Sequence, residues 1–179
     1  MVRADARRNA ERLRAAAQEV FAEQGLGASL EAIAARAGVS IGTLYNRFGS
    51  REGLIDGAMT GLLREQVDSI AARAEACVDP WDRLESHLHG LVEMQILTPA
   101  LAQSIAQAPP GSALAQECTT AMNGVGAALA DAIDAGSARP DAHIDDVAAL
   151  LVANVAVLST LGAESARRLS TIVLAGLRR

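Results

Sequence analysis

Ala37-Gly38-Val39-Ser40-Ile41-Gly42-Thr43-Leu44-Tyr45-Asn46-Arg47-Phe48 holds a glycine between two short segments of helical spacing. Gly38 marks the end of the first, because glycine takes the left-handed backbone that other residues avoid. Ser40 offers a side-chain acceptor to the open amides of the second, and Val39 plugs the angle between them. Leu44 and Phe48 lie one turn apart and anchor the second helix, which Gly49 ends. Upstream, Ser29 is another N-cap, with Glu31 in the first turn, where the helix dipole favours an acid. Leu30, Ile33, Ala34 and Ala37 repeat the helical period. Two short helices joined by a glycine turn are the shape that sets a second helix into the major groove of DNA. The same shape also occurs in helical corners that touch no nucleic acid.

The outward face of the second helix bears on that choice. With Leu44 and Phe48 turned inward, Ser40, Ile41, Thr43, Tyr45, Asn46 and Arg47 face outward or sideways. Small and hydroxylic residues at the helix start, Gly42 among them, let the backbone approach a groove closely. Tyr45, Asn46 and Arg47 carry groups that hydrogen-bond phosphate oxygens or base edges. Read from these residues alone, the alternative is the solvated face of a three-helix core.

Working outward, the whole chain reads as all-α. Half of its 179 residues are hydrophobic, only 2% are aromatic, and alanine recurs throughout; alanine and leucine at such density favour helix. No stretch alternates as a half-buried strand does. A first helix is expected over residues 7–24, with Leu13, Ala17, Val20 and Phe21 on one stripe and Gly25 and Gly27 at its end. A fourth opens at Ser50 and runs to about Ala76, before Asp79-Pro80. Further helices are expected over 81–97, 100–108, 112–135, from Asp145 or Asp146 to about Leu161, and 164–177. The division is into a helix-turn-helix domain at 6–52 and a helical ligand-binding and dimerisation domain at 53–179.

Charge separates the two. Through Arg51 there are eight arginines against five acids, a net +3; beyond it there are eight arginines against sixteen acids, a net −8. One part suits a polyanion and the other does not. Arg3, Arg7 and Arg8 form either an arm reaching DNA or a solvated tail. Cys77 and Cys118 match no metal or redox spacing and read as ordinary buried thiols. No apolar segment follows the N-terminal arginines. Residues 147–163 are uncharged but fall short of the roughly 20 apolar residues that span a bilayer. A buried soluble helix and a cytoplasmic protein are expected.

The run from Ser29 to Glu52 closely resembles the DNA-binding domain of the tetracycline-repressor (TetR) family. That pattern is alanine-glycine-valine-serine, any residue, glycine-threonine-leucine-tyrosine, two residues, phenylalanine, and it is met from Ala37 to Phe48. The resemblance implies an all-helical homodimer that usually represses transcription until a small ligand binds its second domain. It also implies phosphate contacts for Ser29, Thr43, Tyr45 and Arg51, and places Ser40, Ile41, Gly42 and Asn46 near base edges. Gly49 stands where proline is common, which leaves that junction more mobile, and Arg51 where lysine is common.

In the second domain, Val147, Leu150, Leu151, Asn154, Val155 and Leu158 make one apolar stripe. Leu169, Ile172, Val173, Gly176 and Leu177 make another. Together they are the expected dimer surface, packed as a four-helix bundle; the alternative is a core within one chain. A ligand pocket is expected among the middle helices, lined by Trp81, Leu88, Leu91, Met94 and Gln95, then Leu101 and Gln103, and then Met122, Asn123 and Asn154. Methionines with few polar groups suit an apolar ligand held by one or two hydrogen bonds.

Glu85, His89 and Glu93 share a helix face, His87 points elsewhere, and a solvated ion-pairing face is expected rather than a metal site. His143 is expected at the surface. Gly53, Gly57 and Gly61, four apart, either pack closely on the first helix or soften the helix joining the two domains. No nucleophile-base set, phosphate loop or cofactor motif is present, so an enzyme is not expected. The remaining alternative is a helical adaptor whose motif binds protein instead of DNA.

Overall fold

The computed structural model describes residues 2–179, with side chains described from Arg7 onward. Eight helices are found among the described residues: α1 (Val2–Gln24), α2 (Leu30–Ala37), α3 (Ile41–Phe48), α4 (Arg51–Glu75), α5 (Pro80–Leu97), α6 (Pro99–Ala106), α7 (Ala113–Asp134) and α8 (Ile144–Leu177). Arg7 and Arg8 sit on α1, which already begins at Val2, and not on a free arm; the side chain of Arg3 lies outside the described residues. Arg7 is paired with Glu11 at 2.9 Å.

The local signals in the N-terminal third act as expected. Leu13, Ala17, Val20 and Phe21 of α1 are buried against Leu30, Ile33, Ala34 and Ala37 of α2 and Leu44 of α3. Three serines cap successive helices: Ser29 Oγ accepts from Ala32 N, Ser40 Oγ from Thr43 N, and Ser50 Oγ from Gly53 N. Each satisfies an amide with no partner inside its own helix. Gly38 adopts φ 66°, and the next amide, that of Val39, reaches back to Ala34 O at 3.0 Å. This left-handed stop turns the chain from α2 into α3 within three residues.

Helix α4 runs unbroken from the small domain into the large one. It packs on α1 and α3 near its start and on α5 and α7 further along. Here the glycine row resolves. A Cβ on Gly53 would meet Phe48 O at 2.2 Å, and one on Gly57 would meet Phe48 Cε1 at 3.2 Å, whereas Gly61 has nothing within 4 Å. The close partner is therefore the end of α3, not α1 as the sequence suggested. Arg14 of α1 contributes from outside, its guanidinium 5.8 Å from the Phe48 ring centre.

The larger domain encloses a core of Leu84 and Leu88 from α5, Leu101 from α6, Leu114 and Leu129 from α7, and Val147 from α8. Asp79 caps α5 through Trp81 N and Asp82 N. His143, exposed as expected, caps α8 together with Asp146. Gly162, at φ 84° and ψ 176°, breaks α8 into two arms. They double back so that Ala149, Leu150 and Ala153 face Leu169, Val173 and Leu177 across one groove.

The expectation of a buried helix over 147–163 is corrected here. Val147, Leu150 and Asn154 are buried, but Val152 is 75% exposed and Leu161 68%. The helix is apolar nearly all round, and one chain covers only one of its sides. The cysteines are likewise only half-buried, Cys77 beside the end of α4 and Cys118 on α7.

The glycine contacts set a test. Gly53→Ala should destabilise the protein by about 1–3 kcal/mol, the cost of overpacking against a backbone oxygen. Gly61→Ala should stabilise it by roughly 0.5–1 kcal/mol, because the methyl group enters open space and alanine favours helix. Urea unfolding of both variants measures the pair.

Candidate nucleic-acid interface and effector cleft

Helix α3 is held from behind and left bare in front. Leu44 is fully buried and Phe48 half-buried, fixing one side on α2 and α4. Tyr45 is 48% exposed, and Gly42, Asn46 and Arg47 are exposed. Ile41 and Thr43 are half-buried at the margin. The Ser40 and Thr43 hydroxyls lie 3.0 Å apart, which orients both at the helix start. A Cβ on Gly42 would find only Ser40 Oγ, at 3.8 Å, so the N-terminal turn is open to close approach. Arg47 has no hydrogen-bond or ion-pair partner among the described residues. Ser29 lies exposed at the start of α2.

Arg51 is differently occupied. Its Nη1 donates to Leu26 O at 3.0 Å and Ala28 O at 2.7 Å, tying the start of α4 to the loop between α1 and α2. Gly49, in the place where the family often has proline, donates its own N–H to Tyr45 O at 2.8 Å. A proline has no such proton, so this junction is built on a hydrogen bond and not simply loosened. On the far side, Arg36 of α2 bonds Glu23 at 2.9 Å and Glu19 at 3.1 Å on α1. The hydrogen bond from Arg36 holds the Glu23 carboxyl below its ordinary pKa. Acids near the small domain's basic residues are thus partly consumed, away from the face of α3.

In the larger domain a cleft of about 190 Å³ opens among five helices. It brings together Leu91, Met94, Gln95 and Met122 of the expected pocket. Trp81, Leu88 and Leu101 are in the core, outside the cleft lining. Gln103 and Asn123 are on the surface. Sequence reasoning missed Leu63, Ile105, Cys118, Ala121, Ala148 and Val152, and it placed Leu151 at the dimer surface when it lines the cleft. Cys118, Ala121 and Met122 fall at i, i+3 and i+4, a helical spacing that links the two missed residues to Met122.

Polar chemistry in the cleft is sparse and largely committed. Gln95 Nε2 donates to Leu151 O at 2.9 Å, and its Oε1 accepts from Asn154 Nδ2 at 2.9 Å. Asn154 is fully buried behind Gln95, and its Oδ1 has no partner among the described residues. Burial raises the pKa of the Cys118 thiol, so it stays protonated near neutrality. Glu93, one of the acids near His89, is taken up by Arg167, whose hydrogen bond lowers its pKa. No cluster that could hold a metal is found among the described residues.

The comparisons agree with this architecture. Residues 13–58 match the family described as bacterial regulatory proteins, tetR family. Residues 79–179 match the C-terminal domain of SbtR-like transcriptional regulators. The HTH-type transcriptional regulatory protein RaaS of Mycobacterium tuberculosis is 34% identical over 105 residues, covering 59% of this chain and 47% of RaaS. The chain spans about half or less of the curated relatives it matches. The TetR regulator SCO0520 of Streptomyces coelicolor is 29% identical, with 94% of this chain and 98% of that one covered and a TM-score of 0.61. RolR, solved with resorcinol, is 16% identical over 97% of this chain and 89% of its own, and shares the fold with a TM-score of 0.72. This is a family of transcriptional regulators and not of enzymes. With its helix-turn-helix and its C-terminal domain both matched, the chain belongs to the TetR family of transcriptional regulators.

Proposed function

We propose that the chain is a cytoplasmic repressor acting as a homodimer. It reads a pseudo-palindromic operator with paired α3 helices and releases it when a small uncharged molecule fills the cleft. The observation that carries this reading is the bare front of α3, where Tyr45, Asn46 and Arg47 project beside an open N-terminal turn. Ser40, Ile41, Gly42 and Asn46 meet base edges, and Ile41 suits a thymine methyl. Ser29, Thr43, Tyr45 and Arg47 hold phosphates, with Nη2 and Nε of Arg51 left for the same task.

A second copy covers the apolar side of α8. Leu161 and Ile172 are 68% and 67% exposed, and a groove of about 560 Å³ runs between the two arms. Val147, Leu150 and Leu177 support this surface from beneath, being already buried within the chain. The area for a partner comes from Val155, Leu158, Leu169, Ile172, Val173 and Gly176. Four arms packed as a bundle bury it. The dimer then sets two reading helices about 34–36 Å apart, one turn of duplex.

The cleft lining supports an uncharged effector. No charged side chain lines it, and its single amide is hydrogen-bonded at both ends. A carboxylate or ammonium there would lose its hydration without compensation. RolR with resorcinol is a precedent in this fold for a small uncharged ligand.

Selection from a random duplex pool should enrich a pseudo-palindrome; no enrichment would turn the reading toward a protein-binding adaptor. On the selected duplex, Arg47→Ala should lower the salt slope of binding by about one unit, the loss of one charged phosphate contact. An unchanged slope removes Arg47 from the phosphate set. Ile172→Glu should sediment as a folded monomer and lose about 100-fold or more in affinity for the full site, since paired reading is what it forfeits.

A further inference from the structure

One turn of α4 faces two ways. Gly53 and Gly57 receive Phe48 at the end of the reading helix. Between them in sequence, Asp56 turns to the larger domain, where its Oδ1 accepts from Leu114 N at 3.0 Å. Leu114 is the second residue of α7, and the next amide, Ala115 N, is held by Ser112 Oγ at 3.1 Å. The start of α7 is thus capped twice, once by its own serine and once by a carboxylate on the helix that carries the reader. An acid suits that position, because the helix dipole places positive charge there.

Helix α7 leads straight to the cleft. Leu114, Cys118, Ala121 and Met122 fall at i, i+4, i+7 and i+8, one face of a helix. The last three line the cleft, and Met122 is about 12 Å from Leu114 at 1.5 Å per residue. Local bonds stiffen the other end. Thr60 Oγ1 donates to Asp56 O at 2.7 Å, and Gln18 Nε2 of α1 donates to Ala58 O at 2.8 Å. One helix, one hydrogen bond and one turn of α4 thus lie between Ala121 or Met122 and Phe48.

Two other routes join the same helices. Arg64 bonds Glu117 at 2.6 Å, with side chains 61% and 16% exposed, but it leaves α4 two turns beyond Asp56 and away from the turn under Phe48. Leu63 of α4 lines the cleft directly. It is buried in the apolar core two turns beyond Asp56, and nothing directional fixes it to α7. Among the described residues, the Asp56 bond is the one hydrogen bond that joins α7 to the turn on which the reading helix rests.

We propose that Asp56 is the positioning residue through which occupancy of the cleft resets the recognition helix. This rests on the cleft being the effector site. Releasing Leu114 N removes the directional tie between α7 and the turn at 53–57 and leaves only apolar packing between them.

The experiment uses the full chain and fills the cleft by substitution. Ala121→Phe places a ring in it, and Cys118→Phe fills it from one turn earlier should the first variant not fold. Amide exchange of residues 40–50, followed by mass spectrometry, reports the reader without any DNA. Cleft filling should change that exchange by about fivefold or more, the lower end of ordinary site-to-site coupling. With Asp56→Ala in the same chain the change should fall below about twofold. With Asp56→Asn, which keeps an acceptor, it should persist. A purely structural Asp56 would lower the melting temperature in every background and leave the response to filling untouched. An equal response with and without Asp56 overturns the relay alone and leaves the cleft reading standing, as it would if Leu63 carried the signal. No response to filling in the otherwise native chain overturns the relay together with the cleft reading.

Discussion

A phenylalanine seated on two glycines ties the molecule together. Phe48 closes the reading helix, and the missing side chains at Gly53 and Gly57 let it lie directly on α4. Arg51 secures the other flank of the small domain through two backbone carbonyls. The orientation of α3 is thus referred to α4, a helix that also forms a wall of the larger domain. Glycine inside a helix costs about 1 kcal/mol relative to alanine, and at Gly57 the close approach of Phe48 explains why that cost is borne.

What was legible in the sequence was local. Ser29, Ser40 and Ser50 were readable as caps because their partners lie three residues away. Gly38 was readable because the turn it makes depends on its own backbone. The break near Gly162 was legible for the same reason. The helix-turn-helix motif combined such local signals with an inward pair, Leu44 and Phe48, and so gave the fold of the small domain and the side of α3 that stays exposed.

Where side chains meet across long stretches of chain, the sequence was a poorer guide. Met94, Gln95 and Met122 were picked for the cleft on chemistry, yet Gln103 and Asn123, of similar chemistry, face water. A helical period says which residues share a side but not which side turns inward. Asp56 carries no sequence signal, because its partner is 58 residues away and is a backbone amide, for which no side-chain pattern exists. On α8 the apolar stripes were visible, but their burial depends on how one chain folds and on what lies against it. Hence Val147 is fully covered while Val152 stands open.

The uneven charge of the chain bears on how the two molecules first meet. A small basic end with a net +3 joined to a larger acidic body with a net −8 feels a torque near a polyanion. The body is pushed away while the reading end is drawn in, so collisions are sorted by attitude before any atom touches. This sorting works over roughly the 8–10 Å that salt leaves unscreened in ordinary solution. The acidity that sets this protein's low isoelectric point of about 5.2 therefore works as a vane, and wrong-way encounters are discouraged without a single base being read.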